Sequence, residues 1–201
     1  MKNRKLERKE AIEELTRKDI LDSAVTVLLD KGINHFTMDR VASDAGIAKG
    51  TIYLYFKGKN QLLDFVVDYC FFPLEENYAD IAKKTCDPIS KLKQFVLESM
   101  QFTENNKKIL NEIRTVMFNT MDQAIGNEKS WYWNSVNLLS TVFDDAVKKR
   151  KLKPMNTTRV AVLFFNSISA FMSHRILTDV KQTIEEDAQE IMALFIEGLS
   201  V

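Results

Sequence analysis

The sequence contains little of what interrupts helices or cross-links chains. Its 201 residues include 6 glycines, 3 prolines and 2 cysteines, Cys70 and Cys86. Because β-rich folds need Gly and Pro at their many turns, this scarcity predicts an all-α protein with short loops. Two cysteines do not indicate a disulfide framework, which favours a reducing, cytoplasmic location. No apolar run approaches the roughly 18 residues of a membrane span, and no apolar segment follows the basic N-terminus as in a signal peptide.

Charge is balanced over the whole chain but not within it. There are 28 Lys and Arg against 28 Asp and Glu, yet residues 1–60 hold 12 basic against 9 acidic residues and the remainder holds 16 against 19. A basic N-terminal segment followed by an acidic remainder is typical of a DNA-binding domain joined to a domain that does not bind DNA. Together with the concentration of glycines before residue 60, this predicts two domains, 1–60 and 61–201.

Apolar periodicity predicts nine helices and no strand. The first is expected from about Ile20 to Gly32, and the basic residues before it are expected to form a solvated, frayed end rather than a minor-groove arm. Pro73 is expected to end or kink the fourth helix, and Asn105-Asn106 to separate the fifth from the sixth. The predicted ranges are about 20–31, 38–45, 48–56, from 59, 87–105, 107–121, 128–152, 156–180 and 183–198.

The segment from Thr37 to Phe56 has the features of a helix-turn-helix. Such a motif needs a glycine in its turn, where the backbone takes a positive φ, and apolar residues that lock the second helix on the first. Gly46 is at the turn, and the apolar positions are Val41, Ala42, Ala45, Ile47, Ile52 and Phe56. This arrangement leaves polar side chains at the start of the second helix for a major groove.

Two stretches of this segment, FTMDRVA (36–42) and GIAKGTIYLYFKGK (46–59), closely resemble the DNA-binding signature of the tetracycline-repressor (TetR) family. The match covers about residues 15–65, and the rest of the chain agrees only in length, helix content and helix order. The resemblance implies an N-terminal three-helix DNA-binding domain and a C-terminal domain for ligand sensing and dimerisation. One departure is Ala48, where family members commonly carry Ser or Thr, so the recognition helix lacks a hydroxyl cap.

The resemblance assigns DNA contacts to individual residues. Thr37 would bind phosphate at a helix N-terminus, and Lys59 would neutralise another phosphate. Lys49 would donate to guanine, while Gly50 lets the backbone approach the bases. The expected DNA-binding residues are Thr37, Lys49, Gly50, Thr51, Tyr53, Tyr55 and Lys59.

Large apolar side chains are concentrated in the second domain, which holds 11 of the 13 Phe and both Trp. Each of them has an ordinary role in a core as its alternative, but together they suit an adaptable cavity for a small apolar or aromatic effector. The expected ligand-binding residues are Phe71, Phe95, Phe102, Met117, Phe118, Met121, Trp131, Trp133, Phe143 and Phe164.

The resemblance also implies that the last two helices form a homodimer interface. The expected interface residues are Val160, Phe164, Ser167, Phe171, His174, Ile191 and Phe195. No catalytic set, metal-ligand spacing or phosphate-binding glycine loop is recognisable, so we expect no enzyme activity, metal or cofactor. The function predicted is a ligand-responsive repressor of palindromic operator DNA. The alternatives are a helical protein-interaction module or an all-α enzyme that retained the fold.

Overall fold

The computed structural model describes residues 2–126, 130–197 and 199–200, with the side chains of 2–6, 115 and 118–126 left out of the description. Within these ranges the chain is helical, with a single isolated antiparallel bridge between Leu152 and Ser200, and the all-α prediction is confirmed. A 3-10 turn, Ile33–His35, precedes the second helix, and a π-helical segment, Ala193–Glu197, follows the last. The helices are α1 Lys2–Lys31, α2 Met38–Asp44, α3 Lys49–Tyr55, α4 Lys59–Lys83, α5 Pro88–Gly126, α6 Trp131–Lys148, α7 Thr157–Leu177 and α8 Ile184–Met192.

Helix α5 accounts for the difference between nine predicted helices and the eight described. The predicted break at Asn105-Asn106 is wrong, because both side chains bond along the helix. The Asn106 side chain donates to the Phe102 carbonyl at 2.9 Å, and Asn105 accepts from Gln101 at 3.1 Å. The buried face then continues through Leu110, so two predicted helices form one helix of 39 residues.

Helix α1 begins at Lys2, well before the predicted start near Ile20, so the expected frayed end is wrong. Residues 7–15 are exposed, and an apolar pattern therefore gave no signal there. Lys, Glu and Arg favour helix intrinsically, and pairs four residues apart such as Lys9–Glu13 (3.6 Å) add a little stability. Propensity rather than burial explains this extension.

Helix α4 passes through Pro73, so this proline does not end it. The helix continues to Lys83 because its later turns are anchored by buried side chains. Tyr78 is 1% exposed and Ile81 is 5% exposed. Tertiary packing here outweighs the loss of one backbone hydrogen bond.

The helices form two compact units. The N-terminal unit comprises residues up to Cys70 together with Glu112–Thr120 of α5, and the C-terminal unit comprises Phe71–Asn111 and the residues from Met121 onwards. Fully buried side chains form a core in each. They include Ile20, Ala24, Leu28, Val41, Ile52, Leu62 and Val66 in the first and Leu92, Phe95, Val96, Val136, Leu139, Phe143, Phe164 and Ile168 in the second.

Among the described helices, α7 alone is long and apolar enough to cross a membrane, with a mean hydropathy of 1.4. The sequence of α7 shows no long unbroken apolar run, because Asn166 interrupts it. The core helix of a soluble protein meets the same criterion. Only 33% of the most apolar window is buried within the chain, so α7 leaves an apolar face uncovered.

Candidate functional site

The turn between α2 and α3 is built around Gly46. Its φ of 66° lies in the left-handed region, which residues with a Cβ rarely adopt. The Gly46 N–H donates to the Ser43 carbonyl at 3.2 Å, and the Ile47 N–H donates to the Ala42 carbonyl at 3.0 Å. These bonds satisfy the last carbonyls of α2 and direct the chain into α3. The predicted helix-turn-helix is therefore confirmed.

Helix α3 is locked in place by its apolar face. Ile52 and Phe56 are fully buried, and Phe56 meets the edge of Phe65 from α4 at 5.4 Å between ring centroids. The guanidinium of Arg17 from α1 lies 5.2 Å from the Phe56 centroid and 5.1 Å from the Phe65 centroid. Burial and cation–π attraction thus fix α3 against α1 and α4, and its opposite face remains free.

The side chains predicted to meet DNA are accessible on this face of α3 and at the positions that cap α2 and begin α4. Thr37, Lys49, Gly50, Tyr53 and Lys59 are exposed, and Thr51 and Tyr55 are half-buried. No atom lies within 4 Å of the position a Cβ would take at Gly50, so the helix surface there is open to an approaching duplex. Leu54 is 83% exposed, more than Tyr53 at 45%.

The start of α3 shows the departure noted in the sequence. Ala48 occupies the N-cap position with extended backbone, and its methyl side chain makes no capping hydrogen bond. The Thr51 N–H donates instead to the Ala48 carbonyl at 2.8 Å. The N–H groups that open α3 therefore receive no capping bond from the N-cap side chain.

Lys49 is paired with Asp39 of α2. Its ammonium donates to the Asp39 carboxylate at 2.8 Å, and this hydrogen bond and the opposite charge raise the pKa of Lys49. Both side chains are mostly exposed, 64% and 59%. The pair holds a charged lysine at the tip of α3 without removing it from solvent.

Thr37 forms the N-cap of α2. Its hydroxyl oxygen accepts from the Arg40 N–H at 3.3 Å, which leaves the hydroxyl proton available for a phosphate oxygen. The Arg40 guanidinium donates to the His35 carbonyl at 2.6 Å and ties α2 to the 3-10 turn before it. The phosphate contact of Thr37 itself stays a prediction.

Lys59, predicted to bind phosphate, has partners within the protein. Its ammonium donates to the Ile33 carbonyl at 3.4 Å and lies 5.8 Å above the ring of Phe36. The side chain is exposed. It can therefore support the turn after α1 and still neutralise a nearby phosphate.

Three of the predicted ligand-binding residues meet in an aromatic cluster of the C-terminal unit. The Phe71 ring stacks on Trp131 at 5.3 Å and contacts Phe102 at 5.5 Å. Phe165 lies 6.1 Å from Trp131 and 5.5 Å from Tyr132. We define Phe71, Phe102, Trp131, Tyr132 and Phe165 as the aromatic cluster, to which α4, α5, α6 and α7 each contribute.

The other predicted ligand residues lie elsewhere. Phe95 packs on Tyr78, and Phe143 packs on Phe164, which also meets Phe195. Trp133 contacts Tyr132 at the margin of the aromatic cluster, and Met117 belongs to the segment counted with the N-terminal unit. The side chains of Phe118 and Met121 lie outside the described residues.

The predicted interface residues divide by burial. Phe164 and Ile191 are 0% exposed and pack inside their own chain, whereas Val160, Ser167, Phe171 and Phe195 are half-buried and His174 is exposed. Leu163 and Leu177 on α7 are 61% and 56% exposed. They lie at helical spacing with Val160, Ala170 and Phe171 as well as with Ser167 and His174, so one face of α7 is largely apolar and is not covered by the described residues.

Sequence reasoning missed several residues that the structure brings forward. Leu54 was passed over because an apolar residue on the recognition helix resembles a core residue. Tyr132 and Phe165 join the aromatic cluster, and the Tyr132 hydroxyl accepts from the Asn166 amide at 3.1 Å. An aromatic count alone does not separate them from Phe95 or Phe143.

A groove of about 380 Å³ in the C-terminal unit has a different character. It is lined mainly by polar side chains from α4, α5 and the start of α8, including Asn77, Asp80, Glu98, Gln101 and Glu185. None of the predicted ligand-binding residues lines it. It offers amides and carboxylates beside the aliphatic side chains of Ile81, Leu97 and Ile184.

Residues 20–66 match the family described as bacterial regulatory proteins, tetR family. The fatty acid metabolism regulator protein of Bacillus subtilis is 23% identical over 90% of this chain and 93% of its own length. A TetR transcription regulator from Haloarcula marismortui has the same fold, with a TM-score of 0.75, 16% identity and coverage of 94% of this chain and 100% of its own. The structure of SmeT in complex with triclosan is similar at a TM-score of 0.71, 16% identity and coverage of 93% and 92%.

The locked α3, its exposed polar face and the matching segment define a DNA-binding protein of the helix-turn-helix class. Residues 20–66 have the DNA-binding segment of the tetR family, and the chain is a TetR-like transcriptional regulator. Its relatives are regulators rather than enzymes.

Proposed function

We propose that this regulator is a cytoplasmic repressor that binds palindromic operator DNA as a homodimer and releases it when a small apolar or aromatic effector binds. The observation that carries the DNA-binding part is the recognition surface of α3. Lys49, Tyr53 and Leu54 face solvent on a helix whose other face is fully buried. A surface that keeps lysine, tyrosine and leucine exposed on a rigid helix suits hydrogen bonds to guanine and apolar contact with thymine methyl groups.

Selection of binding sites from a random duplex library tests this part. Two-fold symmetry predicts an enriched palindrome whose half-sites are about 34–36 Å, or a multiple, apart. The affinity is expected to fall steeply with salt, since basic residues displace counterions from phosphates. A helical interaction module or an all-α enzyme that retained the fold would enrich no duplex and show no such salt dependence.

The homodimer is supported by the uncovered face of α7. Leu163 and Leu177 are exposed there, and Leu194 of the π-helical segment is 69% exposed. Isologous contact between two such faces removes apolar surface from water on both subunits. Leu163→Glu is therefore expected to yield a monomer in sedimentation equilibrium. Leu15→Glu, at a leucine of equal exposure on α1, is the matched control and should remain a dimer.

The effector site proposed is the aromatic cluster. Four helices supply its rings, and apolar walls with a few polar groups such as the Tyr132 hydroxyl are typical of small-molecule pockets. One relative is a regulator of fatty acid metabolism and another was solved with triclosan. Palmitate and triclosan are therefore suitable first probes of an apolar and an aromatic effector.

The two tryptophans of the chain allow a direct measurement. Because Trp131 stacks on Phe71, binding at the aromatic cluster should change the intrinsic fluorescence, and Phe71→Ala should weaken the response. An effector with a coupling of about 1–3 kcal/mol should lower operator affinity 5- to 150-fold, and operator DNA should lower effector affinity by the same factor. A probe with equal affinity for free and operator-bound protein is not the effector.

A further inference from the structure

Helix α5 contributes one carboxylate to the turn that follows α1. Glu112 Oε2 accepts a hydrogen bond from the Ile33 N–H at 3.0 Å, across 79 residues of sequence. The adjacent residue is Gly32, with φ of 72°, and a Cβ there would lie 3.2 Å from the same oxygen. Both partners lie in the N-terminal unit. The glycine thus allows both the backbone turn and the close approach of Glu112.

The turn bound by Glu112 leads directly into the DNA-binding helices. Ile33 opens the 3-10 turn, and its carbonyl accepts from Lys59. The His35 carbonyl, at the end of the turn, accepts from Arg40 of α2. Two residues later Thr37 caps α2. The orientation of this turn therefore sets where the Thr37 hydroxyl and the first turn of α2 lie.

The helix that carries Glu112 belongs largely to the C-terminal unit. Residues 88–111 of α5 are part of that unit, and only Glu112–Thr120 are counted with the N-terminal unit. The sequence has no glycine or proline between Pro88 and Gly126, and α5 is continuous through Glu112. A charge-assisted hydrogen bond to a backbone N–H is directional and stronger than a neutral one.

We propose that Glu112 is a positioning residue for operator binding: its carboxylate holds the Ile33 N–H and thereby sets the geometry of the α1–α2 turn and of Thr37. The proposal rests on the DNA-binding function proposed above. A merely stabilising bond, by contrast, would affect the unfolding of the protein and leave the affinity of the folded protein for DNA unchanged.

The test compares Glu112→Ala and Glu112→Gln with a matched control, Glu98→Ala. Glu98 is on the same helix and accepts from the Asn77 side chain at 2.7 Å, but it lies in the C-terminal unit. Fluorescence anisotropy measures the affinity of each full-length protein for a duplex enriched by the wild type and for a random duplex of equal length. Circular dichroism at the same temperature confirms that each protein is folded.

Glu112→Ala is expected to weaken binding to the enriched duplex at least about five-fold, because the Thr37 contact fixes the register of the protein on its site. The change on the random duplex should be less than about two-fold, because the Thr37 hydroxyl is uncharged and binding to random DNA depends mainly on charge. Glu112→Gln should lose less, because its amide oxygen still accepts from the Ile33 N–H. Glu98→Ala should bind like the wild type.

Equal loss on both duplexes, or no loss relative to Glu98→Ala, would overturn the role of Glu112. Should Glu112→Ala fail to fold, Glu112→Leu, which favours helix but has no acceptor, is judged against Glu98→Leu by the same criterion, a loss confined to the enriched duplex. If the wild type enriches no duplex, the DNA-binding function fails, and the role of Glu112 fails with it. The two failures are distinguishable, since the second appears before any variant is measured.

Discussion

Two ion pairs of similar length show how differently the two units use charge. In the N-terminal unit, Lys49 and Asp39 are 2.8 Å apart and 64% and 59% exposed. In the C-terminal unit, Arg175 and Asp187 are 2.6 Å apart and only 5% and 7% exposed. The Lys49 pair remains available to a partner, whereas the Arg175 pair is closed off from one.

The Arg175–Asp187 pair is part of a larger hydrogen-bond network, in which all three nitrogens of the guanidinium have a partner. Arg175 also donates to Glu104 at 2.7 Å and to the Gln182 carbonyl at 2.8 Å, which ties α7 to α5 and to the start of α8. Burial disfavours the charge on Arg175, but the two carboxylates outweigh it and raise the pKa of the guanidinium. Distance alone thus does not distinguish a functional charge from a structural one. Burial and the number of partners do.

Arg175→Met should have the largest effect on stability. It leaves the Asp187 carboxylate buried without its partner, which typically costs about 3–5 kcal/mol of unfolding free energy. Lys49→Met is the comparison and should leave the unfolding free energy almost unchanged, because exposed pairs contribute little. Urea denaturation measures both. Similar losses of unfolding free energy in the two variants would contradict the distinction between a structural buried pair and an exposed pair.

For DNA affinity the ranking should be the opposite of the ranking for stability: loss of Lys49 should have a large effect and loss of Arg175 a small one. If Lys49 contacts a guanine, its loss should reduce discrimination at one base position by about 5- to 150-fold, the equivalent of one good bidentate contact. Lys59→Ala is the matched phosphate-type variant, expected to weaken all duplexes alike and to reduce the salt slope by about 1. Anisotropy titrations on single-base variants of the operator separate the two. An equal effect of Lys49→Ala on specific and random DNA would exclude base readout.

The N-caps of α2 and α8 allow the same comparison of the two units, with smaller expected losses of stability. Thr37 accepts from the Arg40 N–H, and Thr183 accepts from the Glu186 N–H in a full capping box. Thr37→Ala and Thr183→Ala should each cost about 0.5–2 kcal/mol of stability. Only Thr37→Ala should also weaken operator binding in the folded protein. Loss of operator affinity in Thr183→Ala would contradict this separation.

The smallest effect concerns the pH dependence of the α8 cap. The Thr183 N–H and hydroxyl both donate to Glu186 and lower the pKa of its carboxyl from an ordinary value of 4.5. The resulting stability is present above that ordinary value and is lost as the pH falls through the lowered pKa. Glu186→Gln should therefore be less stable than the wild type at neutral pH, and the difference should shrink below pH 4.5. A difference that is constant with pH would argue against this contribution.

The helix-turn-helix could be predicted from the sequence because the residues it requires lie close together in the chain. Gly46 is needed for a positive φ, Ile52 and Phe56 are needed for the lock, and neither depends on distant residues. The pairing of Lys49 with Asp39 was not readable, because it depends on how α2 and α3 cross. The assignment of individual DNA contacts remains a prediction.

Sequence patterns were less informative in the C-terminal unit because a core and an apolar pocket have the same composition. Phe71, Phe102 and Trp131 meet in one cluster while Phe143 and Phe164 lie in another, and nothing in their spacing separates the two groups. The predicted break at Asn105-Asn106 failed for a related reason. A polar pair can bond along its own helix when buried residues on either side hold that helix together.

The sequence by itself determined the class of fold, the helix-turn-helix and the resemblance to the tetR family, since periodicity, a glycine at a tight turn and a short motif act over a few residues. Only the tertiary structure decided that Arg175 is buried with two carboxylates, that one face of α7 is uncovered, and that Glu112 reaches the Ile33 N–H. These features join residues far apart in the chain. Their energies depend on desolvation and on distances that the packing of helices alone sets.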